Sequence, residues 1–245
     1  MKRFIAMTLC VCLMGATGCS FLPRPAESET EASYSDFTTA TTTTETTAET
    51  TPEETEETDP TFGTVDIKVN TVGDLRGDVV NKVYFSPYGG VRYVYPEHAS
   101  SGNRDAAQDL FNDVQKIKDD MPLSEVSSDR PIVGAYVIWV DNSLMEISYL
   151  VRPNLTDSEY KSLLQDTHDT AVESLKLIGH TISKSEVGKV NIDGVEFDSV
   201  YVACADGVAR QYVVRYSNGV LTYASLLTFG GIGIDKMLEG LHLEK

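Results

Sequence analysis

Cysteine is scarce in this chain, which has only four of them in 245 residues. Cys10 and Cys12 fall inside an apolar run at the N-terminus, so only Cys19 and Cys204 lie outside that run. A framework of several internal disulfides is therefore excluded. A folded domain in this chain must be stabilised by a buried apolar core instead.

Sequence motifs of catalysis are also missing. The chain has no Walker loop and no Gly-x-Ser-x-Gly elbow. Its four histidines show no metal-ligand spacing such as His-x-x-x-His, and they stand at His98, His168, His180 and His242. The sequence therefore predicts no catalytic residue, no metal and no cofactor, and we expect the protein not to be an enzyme.

Two residues come closest to an exception. His168 lies between Asp166 and Asp169, but on the flank of a predicted helix's apolar stripe, which favours a solvated face. Cys204 ends a predicted strand, and the favoured interpretation is a small buried hydrophobe. A nucleophile or an intermolecular bridge is the alternative for Cys204, although no histidine or cation is near it in sequence.

Basic residues are absent between Arg24 and Lys68. Within this gap, residues 27–60 contain 13 threonines and 11 acidic residues and almost nothing apolar to bury. We therefore predict that residues 19–61 form a disordered tether, which as a flexible coil would span on the order of 30 to 40 Å. A naked solvated spacer is favoured over one that carries O-linked sugar.

The net charge of −17 is unevenly distributed. Residues 1–24 carry +3 and residues 25–61 of the tether carry −11, so that residues 62–245 carry −9. An acidic domain on an acidic tether argues against binding to nucleic acid and against a polybasic membrane contact. The length of 62–245 suits a single domain.

The N-terminus has the features of a processing signal. Lys2 and Arg3 precede an apolar run from Phe4 to Ala16, which is too short to span a bilayer as a helix. The following Ala16-Thr17-Gly18-Cys19 resembles the lipobox of bacterial lipoproteins. The resemblance implies a signal peptide over 1–18 and a lipid on Cys19 that anchors the protein at the extracytoplasmic face of the cell membrane. Ordinary secretory cleavage near Gly18 is the alternative.

The stretch from Val187 to Phe229 predicts an antiparallel meander. Its turns are Asp193-Gly194, Asp206-Gly207 and Asn218-Gly219, pairs that tolerate the positive φ of two-residue hairpin loops. The strands predicted between them are Val195 to Cys204, Val208 to Tyr216 and Val220 to Phe229. In the middle strand Tyr212, Val214 and Tyr216 oppose Gln211 and Arg215, which predicts a sheet with one covered face.

The rest of the domain alternates between strand and helix patterns. The predicted strands are Thr64 to Asn70, Val79 to Phe85, Val91 to Tyr95, Ile132 to Val140 and Leu144 to Val151. The predicted helices are Asn103 to Met121, a helix capped by Thr156 and Glu159 and ended by Gly179, and Ile234 to Leu241 after a flexible glycine linker at 230–233. The fold class is therefore α+β: an antiparallel sheet of hairpins and a C-terminal meander covered by two or three helices.

Aromatic residues cluster near the start of the domain. They are Tyr84, Phe85, Tyr88, Tyr93 and Tyr95, together with Arg92. Core and cross-strand packing is the favoured interpretation. The alternative is a stacking platform for a sugar or peptide, with Tyr88, Arg92 and Tyr93 as candidate ligand-binding residues and Tyr88 exposed at a turn.

From about Ser148 onward, the order of elements resembles the PsbP-like fold, including its DcrB-type bacterial lipoproteins. The matching features are Arg152-Pro153-Asn154, Ser158-Glu159-Tyr160, Val190-Asn191-Ile192-Asp193-Gly194-Val195, Leu221-Thr222-Tyr223 and a final helix with Asp235. The resemblance implies a fold without shared catalytic residues, whose members mostly bind or help to assemble larger complexes.

Together these features predict a non-enzymatic, membrane-anchored lipoprotein that binds or assembles an envelope partner. The partner is expected to be an envelope protein or a cell-wall glycan. A carbohydrate- or solute-binding surface lipoprotein is the alternative, and an envelope hydrolase with an unfamiliar site is a third.

Overall fold

A computed structural model describes residues 71–112 and 115–243. The predicted signal peptide, Cys19, the tether and the predicted strand Thr64 to Asn70 lie outside the described residues. Among the helices of the described part, none is both long and apolar enough to cross a bilayer.

Two antiparallel sheets make up most of the described chain. Their strands in chain order are β1 (Asp78–Val80), β2 (Val83–Ser86), β3 (Val91–Val94), β4 (Ala99–Ser101), β5 (Ile132–Trp139), β6 (Leu144–Val151), β7 (Ile182–Ile192), β8 (Val195–Cys204), β9 (Val208–Ser217), β10 (Val220–Phe229) and β11 (Leu241–Leu243). A 7-stranded sheet has the order β4-β5-β6-β10-β9-β8-β7, and a 4-stranded sheet has the order β1-β2-β3-β11. The predicted meander thus forms one side of the larger sheet.

Helices are few, in keeping with an α+β fold dominated by strands. They are α1 (Val72–Arg76), α2 (Arg104–Asp109), α3 (Asp157–Leu177) and α4 (Ile234–Leu238), with a 3-10 turn at Leu123–Glu125. The long helix α3 begins with the predicted capping box, in which the Thr156 and Glu159 side chains each accept from the other's backbone amide. Gly179, at φ 97°, follows its last turn as predicted.

One face of the larger sheet packs against α3. Leu164, Ala171 and Leu175 of the helix are buried against a cluster of sheet residues. Those sheet residues include Val200, Val202, Cys204, Tyr212, Val214, Leu221, Tyr223 and Leu227. The alternation predicted for the middle strand of the meander, β9, therefore identifies the apolar face that the helix covers.

The opposite face of the same sheet is also covered, and the prediction of one covered face was wrong. Val213, Ala224 and Leu226 of the larger sheet share a core with Tyr84 and Tyr93 of the smaller one. Gln211 suggested a solvated face, but it is 8% exposed. The smaller sheet is completed by non-local pairing of β3 with β11, which no local pattern encodes.

Several predicted elements have different bounds in the structure. The strand Val79 to Phe85 is split into β1 and β2 by a tight turn at Asn81 and Lys82, with φ of 50° and 62°. The C-terminal helix ends at Leu238, and Leu241 lies in β11 instead. The loop at Asp206-Gly207 has the three residues, 205–207, that the predicted strand bounds leave between them, so it is not a two-residue hairpin loop.

Within the described residues of the predicted helix Asn103 to Met121, which leave out 113 and 114, the backbone is helical only over α2. Side chains beyond α2 make hydrogen bonds to other parts of the chain. Asp119 accepts from Arg76 of α1 at 2.6 Å, and Gln115 donates to the Glu125 carbonyl at 2.7 Å. Phe111 and Ile117 of this segment are nevertheless buried.

Candidate functional site

An open groove of about 610 Å³ lies on the surface of the larger sheet, on the side that faces the smaller sheet. Its floor is formed by β7, β8 and β9, where the smaller sheet no longer covers them. Its wall is the glycine-rich loop 230–233 and the start of α4. The groove therefore exists because the second layer is narrower than the sheet beneath it.

Strand register determines the floor of the groove. Glu186 pairs with Tyr201, which pairs in turn with Gln211, and Gly188 pairs with Ser199. The Gln211 amide donates to the Ser199 hydroxyl at 2.7 Å. Side chains of this set point to one face because residues that pair across antiparallel strands share a face. The floor is thus a polar surface with one aromatic ring.

Gly188 keeps the middle of the floor open. A Cβ built at this position would meet no atom within 4 Å. Its φ is not positive, so other residues can adopt the same backbone conformation. A larger side chain at residue 188 would therefore fill the groove without straining the strand.

The wall of the groove is fixed by Asp141, which lies in the β5–β6 turn. Its carboxylate accepts from the Ile232 amide at 2.6 Å and from the Ser143 amide and hydroxyl, each at 3.0 Å. Burial acts to raise the pKa of Asp141, but these donors hold it below its ordinary value. The prediction of a flexible glycine linker at 230–233 was therefore wrong, because the loop is hydrogen-bonded to a neighbouring turn.

A second hollow of about 330 Å³ continues the groove along β7. The two share Val190 and Asp235, and the second reaches Leu238 of α4 and His242 of β11. Leu241 and Leu238 give this end a more apolar lining. The combined surface is elongated along one strand and changes from polar to partly apolar along it.

Strand β7 also forms an edge of the larger sheet. It is eleven residues long, and residues 183–189 are all exposed. No strand within the described ranges pairs with its outer side. Unpaired amides and carbonyls along an edge can pair with a further strand, and lysines are a common protection against unwanted pairing. Lys184 and Lys189 occupy this edge.

Charges around the groove are paired across short distances. Lys184 contacts Glu186 at 2.7 Å, and its ammonium group also lies 5.5 Å from the centre of the Tyr201 ring. Lys189 contacts Asp198 at 2.8 Å. The hydrogen bond that Lys184 donates to Glu186 raises the pKa of Lys184. The groove thus offers both signs of charge rather than a single-sign field.

The residues predicted for a stacking platform are placed apart from this groove. Tyr93 is fully buried, and its hydroxyl donates to the Met237 carbonyl at 2.9 Å. Arg92, its neighbour on β3, is exposed on the other face of the strand. Tyr88 is half-buried and packs on the core rather than standing exposed. Tyr93 therefore offers no ring to a ligand, and the three side chains do not share one surface.

Two of the histidines lie beside carboxylates. His168 Nδ1 is 2.9 Å from Asp169 on the exposed side of α3. His180 Nδ1 is 2.6 Å from Asp206, and this second pair lies next to the Cys204 thiol. Burial and the Asp206 charge raise the pKa of Cys204.

Sequence reasoning missed the grouping of His180, Cys204 and Asp206 because it looked for histidines close to Cys204 along the chain. The feature that could have revealed this grouping is the pairing of β7 with β8. Ile182 pairs with Cys204, so the residues just before β7 must lie near those just after β8.

Comparisons with known proteins are limited to structure. No protein-family model matches the chain, and no curated protein matches it in sequence. A similar solved structure is the solution structure of cyanobacterial PsbP (CyanoP) from Synechocystis sp. PCC 6803, with 13% identity and a TM-score of 0.38. The match covers 66% of this chain and 91% of that one. This structure is of a PsbP protein, and the sequence resemblance was to the PsbP-like fold. At this level of similarity it supports no conclusion about the activity or partners of the present chain.

Proposed function

We propose that the chain is a non-enzymatic lipoprotein of the cell envelope that binds a partner protein. A lipid on Cys19 anchors it to the extracytoplasmic face of the membrane, and the tether 19–61 holds the domain away from the bilayer. The groove along β7 is the observation that carries the proposal. It combines an open surface with a long, exposed strand edge.

The partner that best fits this surface is an extended segment of an envelope protein. An added strand uses the backbone of an exposed edge for affinity and side-chain pockets beside it for specificity. Both are present here along one strand: eleven residues of β7 and the two adjoining hollows that share Val190 and Asp235. Paired charges at Lys184 and Lys189 would exchange their present partners for those of the bound segment.

The test fills the groove without touching the backbone edge. We expect Gly188→Phe to lower recovery of a cross-linked partner from intact cells by at least about tenfold, because the ring occupies the floor of the groove. Val187→Phe is the matched control. It adds the same ring to the neighbouring residue, whose side chain is 45% exposed on the opposite face of the strand.

Thermal melts of the purified variants verify that both remain folded. Loss of the partner in Gly188→Phe alone supports the groove as the binding surface. Equal recovery from the two variants would contradict it. A Cys19→Ala version tests the anchor separately, since it is expected to be shed from the membrane or to stay unprocessed.

A carbohydrate- or solute-binding function is the second candidate, and the Tyr201 ring favours it. Half-buried Tyr201 lies in the groove beside Gln211 and Ser199, and sugars are bound by such combinations of an aromatic face and hydrogen-bonding side chains. Titration with soluble cell-wall glycan fragments tests this function. Binding that is lost in Tyr201→Ala and kept in Tyr88→Ala would favour it over the protein partner.

A further inference from the structure

Three side chains of metal-ligating type converge at the far end of the β7–β8 pair. They are His180, Cys204 and Asp206, and one ligand atom from each lies within 4.8 Å of the others. This cluster is separate from the floor of the groove, because Cys204 faces α3 with Val200 and Val202. It is the only group of this kind found among the described residues.

The backbone around the cluster is held by hydrogen bonds. Ala205 donates its amide to the Thr181 carbonyl at 2.8 Å, which ties the β8–β9 loop to the connection between α3 and β7. His180 donates its amide to the Leu175 carbonyl of the last helical turn at 3.0 Å. The three groups therefore come from two segments whose relative positions are fixed by the fold.

The cluster has a buried bottom and an open top. Cys204 is 5% exposed, whereas the side chains of His180 and Asp206 are 22% and 52% exposed. A bound ion would contact the thiolate from the protein side and solvent from the other. Such a gradient leaves a coordination position for water.

We propose that His180, Cys204 and Asp206 bind a Zn²⁺ ion, with water in the fourth position. Thiolate, imidazole and carboxylate are the three ligand types that Zn²⁺ takes in proteins, and three protein ligands with one open position is a common tetrahedral arrangement. Ca²⁺ and Mg²⁺ prefer sites made only of oxygen. The thiolate and the carboxylate together neutralise the charge of a divalent ion.

Binding requires a small rearrangement of one hydrogen bond. His180 Nδ1 and Asp206 now lie 2.6 Å apart, and the ion would replace the proton between them. Asp206 can adjust because it lies in the exposed three-residue loop 205–207. The next residue, Gly207, lines the binding groove, so the ion would brace a loop at the groove's edge.

The experiment uses the full chain in detergent, stripped of metal with a chelator and titrated with Zn²⁺ by calorimetry. We expect Cys204→Ser and His180→Asn each to remove one bound Zn²⁺ or weaken it on the order of tenfold or more. The parent should also melt at a higher temperature with rising Zn²⁺, because an ion that binds only the folded state stabilises it. Co²⁺ should give a thiolate charge-transfer band that Cys204→Ser lacks.

His168→Asn is the matched control, because His168 forms a similar pair with Asp169 but has no thiol beside it. It should bind Zn²⁺ as the parent does. Circular dichroism of the metal-free variants verifies that each is folded. Unchanged Zn²⁺ binding in both Cys204→Ser and His180→Asn, an equal loss in His168→Asn, or no binding by the parent would each overturn the proposal.

Discussion

The two edges of the larger sheet differ in length and in what surrounds them. At one edge β4 has three residues, and its neighbour β5 is held by buried polar contacts. At the other edge β7 has eleven residues and is exposed along most of its length. One edge thus presents only a short strand, with β5 capped by a buried side chain, and is called the closed edge here; the other presents a long exposed strand able to accept a further one and is called the open edge.

Arg76 is the centre of the closed edge. It is 4% exposed, and its guanidinium donates to the Val133 carbonyl of β5 at 2.9 Å. It also contacts Asp105 at 2.7 Å and Asp119 at 2.6 Å. One buried side chain thus joins α1, α2, β5 and the loop after α2. The hydrogen bond from Arg76 lowers the pKa of Asp105.

The largest expected effect is the loss of this junction. We predict that Arg76→Ala lowers the free energy of unfolding by about 4 kcal/mol, because it leaves a cavity and an unpaired buried carbonyl at Val133. Denaturant melts measure the change. Lys184→Ala removes an ion pair at the open edge, where both partners are more than half exposed, and should not shift the melt measurably. Equal losses of unfolding free energy in the two variants would show that the two edges are held equally strongly.

Glu146 lies in the centre of the larger sheet, between its two edges, and its protonation is expected to affect the stability of this region. It is 4% exposed on β6, and one carboxyl oxygen has no hydrogen-bond partner among the described residues. Burial raises its pKa to about 7, although Ser148 and the charge of Arg210 act in the opposite direction. The folded protein therefore keeps a proton on Glu146 at pH values where the unfolded chain has lost it.

The sign of the pH dependence follows from this raised pKa. Stability is expected to fall as pH rises from about 4.5 to about 7, by a total of about 3 kcal/mol. Glu146→Gln should lack this fall and be the more stable protein at pH 8. Denaturant melts of both proteins at pH 5 and pH 8 measure it. A parent whose stability does not fall relative to Glu146→Gln over this range would contradict the prediction.

Asp141 tests the wall of the open groove. We predict that Asp141→Ala lowers the free energy of unfolding by about 1 to 2 kcal/mol, because the Ile232 and Ser143 amides lose their acceptor. Hydrogen exchange at Ile232 should become faster, while exchange in the centre of β10 should not change. Unaltered exchange at Ile232 would show that the loop is held by other contacts. This is the smallest of the three effects on stability.

Features encoded by neighbouring residues were predictable from the sequence. Asp193-Gly194 and Asn218-Gly219 form tight turns, with positive φ at both residues of each pair. The capping box at Thr156 and Glu159 starts α3 at Asp157 as predicted. Such signals depend only on residues within a few positions, so they survive in any tertiary context.

Features that depend on distant residues were not predictable. The pairing of Leu241 with Tyr93 completes the smaller sheet, and Arg76 donates to Asp119, which lies beyond the end of α2. The groove needs Gly188 and the loop 230–233 to lie opposite each other. The residues next to Gly188 predict only a weak strand position, and those of the loop 230–233 predict a linker.

We propose that the β7 edge, and not the β4 edge, contacts a partner. The most direct measurement places a photoreactive residue at Ser185 or at Ser100, both exposed, one on each edge. The anchored proteins are then irradiated in intact cells. We predict a discrete cross-linked protein from position 185 that is absent from position 100 and is lost when Gly188→Phe is added. Cross-links of equal yield from both positions, or from position 100 alone, would show that the β7 edge is not the specific binding surface.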